Sequence, residues 1–192
     1  MAEQSSPTSW DRLYEVAAAQ DGLFTTRQAA AAGYSPQLIT KYMRSGKMQR
    51  VRRGVYRLVH FPAAEHEDLV AVWLWTQQRG IFSHETALAL HGLSDALPAR
   101  VHVTLPLEWM HRRFRVPPGV ALYYAEIKNE ESAWFGSIPV TTPIRTLADC
   151  IAAHVSPELL DPAIHQAARR GLASKADIAR QRSAIRRARR TA

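Results

Sequence analysis

Residues 23–59 read LFTTRQAAAAGYSPQLITKYMRSGKMQRVRRGVYRLV, and this stretch decides the fold. Thr25 and Thr26 are helix starters, the Ala-rich run after Arg27 is helix-forming, and Gly33 is a helix stop. Tyr34-Ser35-Pro36 follows as a tight turn, with Ser as N-cap and Pro in the first turn of a second helix. That helix runs from about Pro36 to Ser45 and stops at Gly46. On a 3.6-residue wheel Leu38, Ile39, Tyr42 and Met43 fall on one side, and Gln37, Thr40, Lys41 and Arg44 on the other. Met48 to Val59 then reads as two strands around an Arg53-Gly54 turn, with Val51, Val55, Tyr56, Leu58 and Val59 as β-formers. Helix, turn, helix and basic hairpin spell a winged helix-turn-helix.

Charge supports the same reading. From Gly22 to Ala64 there are eight Lys/Arg and no Asp or Glu. A surface that approaches a polyanion has reason to exclude acids, because each would repel phosphate. The exposed stripe of the second helix offers residue types that reach base edges and phosphates. Thr26, Arg27, Ser35, Gln37, Thr40, Lys41, Arg44, Lys47, Arg50, Arg52 and Arg53 are therefore the expected contacts to double-stranded DNA. The competing reading is a basic αβ lid that binds nothing.

Working outward, the whole chain of 192 residues suits one large domain or two small ones. With 46% hydrophobic and 22% charged residues, a globular core is expected rather than disorder. The formal net charge of +8 is unevenly spread. The segment from Arg169 to Ala192 holds nine basic residues and one acid, Asp177, while the chain outside the two basic segments holds sixteen acids against eight basic residues. The fold class expected is α/β (α+β): residues 1–62 as the winged helix-turn-helix domain, and residues 63–192 as a mixed α/β domain ending in a basic helix. The junction is placed at Phe61-Pro62-Ala63-Ala64, where the charge changes sign.

Before the junction, Trp10 to Gln20 reads as a supporting helix. Beyond it, Glu65 to Arg79 reads as a buried helix and His84 to His91 as another behind the N-cap Ser83. Arg100 to Leu105 reads as a strand in which Val101, Val103 and Leu105 alternate with His102 and Thr104. Val120 to Ile127 and Ile138 to Thr141 read as further strands. Helices run from Thr142-Pro143 to about Ala153 and from Ser156-Pro157 to about Arg170, and Ser174 opens the basic helix.

Chemistry-bearing motifs are sparse. His84 and His91 lie two turns apart with no third ligand, so no metal site is expected; a helix-start residue and a C-terminal dipole partner suffice. Glu126-Ile127-Lys128 has the acid-x-Lys form of some metal-dependent nucleases, but without a partner Asp it reads as a charge pair at a strand end. Cys150 reads as a small buried core residue. The lone cysteine, the polar N-terminus and the lack of a membrane-length apolar run fit a cytoplasmic protein without disulfides. No catalytic residue, cofactor or membrane partner is expected.

Three blocks in order, GLFTTRQAAAAGYSPQLITKYMRSGKMQRVRRGVYRL (22–58), FSHETALALHGLSDALPARVHVTLP (82–106) and IPVTTPIRTLADCI (138–151), resemble the AbiEi family of antitoxins. The resemblance runs from about Leu13 to Ile178. It implies a two-domain, non-enzymatic antitoxin whose winged helix represses its own operon and whose second domain neutralises a toxin resembling a nucleotidyltransferase. By motif match, Ser35, Gln37, Thr40, Lys41 and Arg44 take the recognition-helix positions and Arg50, Arg52 and Arg53 the wing. Related N-terminal modules precede a restriction-like nuclease domain in longer proteins; this chain stops soon after HQAARRGLASKADI (165–178), which favours the antitoxin. The alternative is a stand-alone winged-helix regulator whose α/β domain senses a ligand or partner.

Overall fold

The computed structural model describes residues 8–180 except Ala96, Phe114 and Lys175, together with Ser183. The chain forms two compact units, Met1–Gln78 and Arg79–Ala192.

The first unit begins with α1 (Trp10–Ala18), capped by Ser9, whose hydroxyl accepts from the Arg12 N–H at 3.2 Å. Asp21 and Gly22, both at positive φ, turn the chain into β1 (Leu23–Thr25). Gly22 has no substitute here: at φ +83° a Cβ would sit 2.6 Å from the ring of Phe61. Helix α2 (Thr26–Ala31) starts from a capping box in which the Thr25 hydroxyl accepts from Gln28 N–H and the Gln28 side chain accepts from Thr25 N–H. Helix α3 (Pro36–Arg44) is capped by Ser35 and carries Pro at its start. Strands β2 (Met48–Arg52) and β3 (Val55–Leu58) form the hairpin, and β1 joins it to give an antiparallel sheet in the order β1-β3-β2. Leu13, Ala17, Phe24, Ala29, Tyr34, Ile39, Met48 and Leu58 are buried in one core, with Leu38, Tyr42 and Met43 packed against it. The apolar side of α3 is thus the inward side, as its wheel predicts.

Helix α4 (Glu67–Trp75) is shorter than the expected span from Glu65 to Arg79, and residues 69–74 are all buried. It packs against β1 and β3, so the compact units divide beyond it, at Gln78/Arg79, whereas the charge sign changes at Glu65. An all-round apolar helix must be covered on every side, and part of that cover is the winged-helix sheet.

The second unit is built on a five-stranded mixed sheet, order β6-β5-β4-β8-β7. Its strands are β4 (Ile81–Phe82), β5 (Val101–Leu105), β6 (Val120–Tyr124), β7 (Ser132–Phe135) and β8 (Ile138–Thr141). Pairing is parallel for β5/β6 and β4/β8, and antiparallel for β4/β5 and β7/β8. Helices α5 (His84–Leu90), α6 (Pro143–Ala152) and α7 (Pro157–Arg169) share a core of Leu88, Leu93, Leu147, Cys150, Leu160 and Ile164. Residues 176–180 are helical; Arg182, Arg186, Arg187, Arg189 and Arg190 of the expected basic helix lie outside the described residues.

Several expectations are corrected. Strand β6 ends at Tyr124, so Glu126 and Lys128 sit beyond the strand rather than on it. Strand β5 keeps its apolar–polar alternation but is covered on both faces: His102 and Thr104 are 8% and 3% exposed. They lie under the start of α5, where a polar layer satisfies itself. Thr104 Oγ1 donates to Ser83 Oγ at 2.7 Å, Ser83 Oγ meets His84 Nδ1 at 2.9 Å, and Thr86 Oγ1 accepts from His102 N–H at 2.8 Å. The His84 ring stacks on Tyr123 with centroids 3.6 Å apart. His91 stands at the C-cap of α5. Its Nε2 donates to the Thr141 carbonyl at 2.7 Å, and burial pushes its pKa down.

Candidate nucleic-acid interface

Helix α3 presents the stripe predicted from its spacing. Gln37, Thr40, Lys41 and Arg44 are exposed, while Ile39 is buried at 2% exposure. The hydroxyls on this helix are less free than the stripe suggests. Thr40 Oγ1 donates to the Pro36 carbonyl at 2.9 Å, and Ser35 Oγ accepts from the Leu38 N–H at 3.2 Å. Gln37, Lys41 and Arg44 remain as the side chains with unengaged polar ends.

Lys47 lies between α3 and β2, with its ammonium 5.6 Å from the centre of the Tyr42 ring. Arg50 and Arg52 lie on β2, and Arg53 is in the turn. The ladder pairs Arg50 with Tyr56 and Arg52 with Val55, so Val51 is the extra residue of a bulge. A bulge bends the strand and re-aims its neighbours; here it leaves Val51 37% exposed beside the arginines.

The wing is tied to the start of α2. Thr26 N–H donates to the Gly54 carbonyl at 3.0 Å, and the Thr26 hydroxyl lies 3.4 Å from the same oxygen. Gly54 takes φ +78°, which the turn requires. The tie brings Thr26, Arg27 and Arg53 to one groove of about 350 Å³ that Trp75 and Gln78 also line. Separate in sequence, the first helix and the wing thereby share a basic rim.

Gln20 escaped the sequence reading. Only 4% exposed, it accepts from Gln28 Nε2 and Gln78 Nε2, each at 2.8 Å, and donates to the Leu23 carbonyl at 3.0 Å. Gln28 completes the capping box of α2, so Gln20 positions the helix start that meets the wing. No sequence signal marks a glutamine whose partners lie 8 and 58 residues away.

Of the eight cations in the acid-free stretch, one turns inward. Arg57 Nε lies 3.0 Å from Glu67 Oε2, and its Nη2 donates to the Phe61 carbonyl at 3.0 Å. Among the described residues, Arg27, Lys41, Arg44, Lys47, Arg50, Arg52 and Arg53 pair with no carboxylate. No carboxylate of the described residues balances their charge.

Two helices joined by a tight turn, a supporting helix and a basic hairpin define a winged helix-turn-helix module. Residues 11–59, which contain it, match the family described as "Transcriptional regulator, AbiEi antitoxin". The match spans less than half the chain and agrees with the resemblance read from the sequence. Among solved structures, the chain is similar to the crystal structure of the RV2827C protein from Mycobacterium tuberculosis, at 18% identity and a TM-score of 0.52, covering 90% of this chain and 70% of that one. That likeness shows the fold alone. None of the curated proteins compared matches the chain. Among the described residues no helix is long and apolar enough to cross a membrane, and no group of three His, Cys, Asp or Glu is placed to hold a metal ion.

Proposed function

We propose that this chain is the antitoxin of a bacterial toxin–antitoxin pair and the repressor of its own operon. The observation that carries the reading is the carboxylate-free cationic face of α3, β2 and the Arg53-Gly54 turn, in a segment that matches an antitoxin regulator family. Gln37, Lys41 and Arg44 read base edges and phosphates in the major groove of double-stranded DNA. Thr26, Arg27, Lys47, Arg50, Arg52 and Arg53 hold the flanking backbone, and Ser35 and Thr40 shape the helix start between them. DNA binding resides within residues 1–62, and the antitoxin function resides in 63–192. The second function is neutralisation of a cognate nucleotidyltransferase-like toxin, without catalysis by this chain, in the cytoplasm.

Growth rescue tests the reading. The neighbouring toxin gene is expressed alone, with this chain, and with a variant carrying alanine at Lys41, Arg44, Arg52 and Arg53. A point variant is preferable to deleting the module, because deletion would strip α4 of the sheet it packs against. Rescue by both forms, with upstream DNA bound only by the unaltered chain, is the expected result. Equal DNA binding by both forms sinks the docking model, and a harmless neighbour sinks the antitoxin role.

A further inference from the structure

The second unit carries a cleft that DNA binding does not use. It opens beside the ends of the parallel strands β5 and β6, the edge where open α/β sheets place ligands, and has a volume of about 400 Å³. Ile81, Leu105, Pro106 and Ile127 give it an aliphatic lining, and its polar side chains are Arg79, Thr104, Glu126 and Lys128.

The polar groups fall into two sets of opposite character. Arg79 and Lys128 are cations that only donate hydrogen bonds. Glu126 is an anion that only accepts. Thr104 Oγ1 belongs to the buried layer under α5, where it donates to Ser83 Oγ at 2.7 Å. At 3% exposure its hydroxyl is not offered to a ligand, which leaves Glu126 as the accepting side chain.

The rim is held in place before any ligand arrives. Ala125 N–H donates to the Leu105 carbonyl at 3.1 Å, Arg145 Nη1 donates to the Glu126 carbonyl at 3.4 Å, and Lys128 N–H donates to Glu131 Oε2 at 3.0 Å. Arg79 has one competing partner, Glu108, at 3.4 Å. Both side chains are more than half exposed, so this pair exchanges readily for a ligand carboxylate.

A simple anion would face Glu126, and a simple cation would face Arg79 and Lys128. A ligand that uses both sets carries both charges and an aliphatic body, in a volume near the low end for small-molecule sites. We propose that this cleft binds a free aliphatic α-amino acid: its carboxylate on Arg79 and Lys128, its ammonium on Glu126, and its side chain on Ile81, Leu105, Pro106 and Ile127. Such a site gives the second unit a small-molecule input separate from DNA and toxin.

Calorimetric titration of the full chain with L-leucine tests this directly. Saturable binding of one leucine per chain is expected, weakened at least about tenfold by Glu126→Gln and by Lys128→Met. Both residues are exposed, so the variants keep the fold, which circular dichroism checks. N-acetyl-leucine amide, which lacks both charges, is expected to bind at least about a hundredfold more weakly. Three results overturn the proposal. One is no saturable heat with leucine up to roughly 10 mM. Another is equal binding of the blocked amide, which makes the cleft a peptide groove. The third is isovalerate binding as tightly as leucine and unweakened by Glu126→Gln, which makes it an anion site.

Discussion

The cations of the acid-free stretch separate by what their heads touch. Arg57 is a packing residue, with its side chain 16% exposed and paired to Glu67 at 24%. Arg57→Ala is expected to lower the stability of the first unit by about 1–3 kcal/mol, through the missing hydrogen bond to Phe61 and the stranded Glu67 carboxylate, while the folded protein keeps its DNA affinity. Denaturant melts beside gel-shift titrations separate the two effects. Lys41→Ala and Arg44→Ala should do the reverse: unchanged melts, weaker operator binding, and a salt slope reduced by about one for each phosphate left unneutralised. His84 gives a pH signature. Burial, then the neighbouring His102 and Arg145, push its pKa down to about 4 from an ordinary 6.5. Glu85 and Tyr123 also face this layer, and burial lowers the pKa of His102 as well. The unfolded chain takes up the proton first, so His84 costs nothing above about pH 6.5. Stability falls as the pH drops from there toward 4, by about 3 kcal/mol at most for this group, and levels off below. Urea melts between pH 7.5 and 4.5 measure the slope, and His84→Gln should flatten it.

At the level of elements, the junction of α2 with the wing is the weak point of the module. Helix α2 is only six residues long and cannot hold itself, so its start depends on the Thr25–Gln28 capping box and on the Gly54 carbonyl. Replacing Gln20 by alanine leaves Gln28 and Gln78 without their shared acceptor inside the core. The expected cost is about 1–3 kcal/mol of stability, with faster hydrogen exchange at the amides of residues 25–28. If those amides exchange as in the unaltered chain, Gln20 is not what positions the helix start. Strand β5 shows the opposite dependence. Its alternating polar residues are covered by α5, and hydrogen bonds within the polar layer offset their burial.

At the scale of the whole chain, charge and compactness divide the molecule at different places. The acid-free run ends before Glu65, whereas the first compact unit extends through α4 to Gln78. Truncation at residue 62 would leave β1 and β3 without the apolar helix that covers them. A fragment of residues 1–78 is therefore expected to fold cooperatively, and one of residues 1–62 to melt at lower temperature or aggregate. Circular dichroism melts of both fragments decide it, and equal melting temperatures would remove α4 from the module.

The sequence by itself determined the winged helix-turn-helix, because every signal for it is local. Thr25 and Ser35 cap, Pro36 starts a helix, Gly33, Gly46 and Gly54 sit at turns, and the α3 stripe follows the 3.6-residue period. It also marked α1 and the cores of α4, α5, α6, α7, β5, β6 and β8. Tertiary structure alone decided the rest. Strands β1, β4 and β7 have two to four residues each, too few for a periodic pattern, and exist because β3 and β8 pair with them. The inward turn of Arg57, the Gln20 hub, the His91–Thr141 hydrogen bond and the meeting of Arg79, Glu126 and Lys128 in one cleft all depend on contacts between distant residues. Residue type and spacing reveal which face a helix buries; only the packed chain fixes what a polar group on that face has to bond.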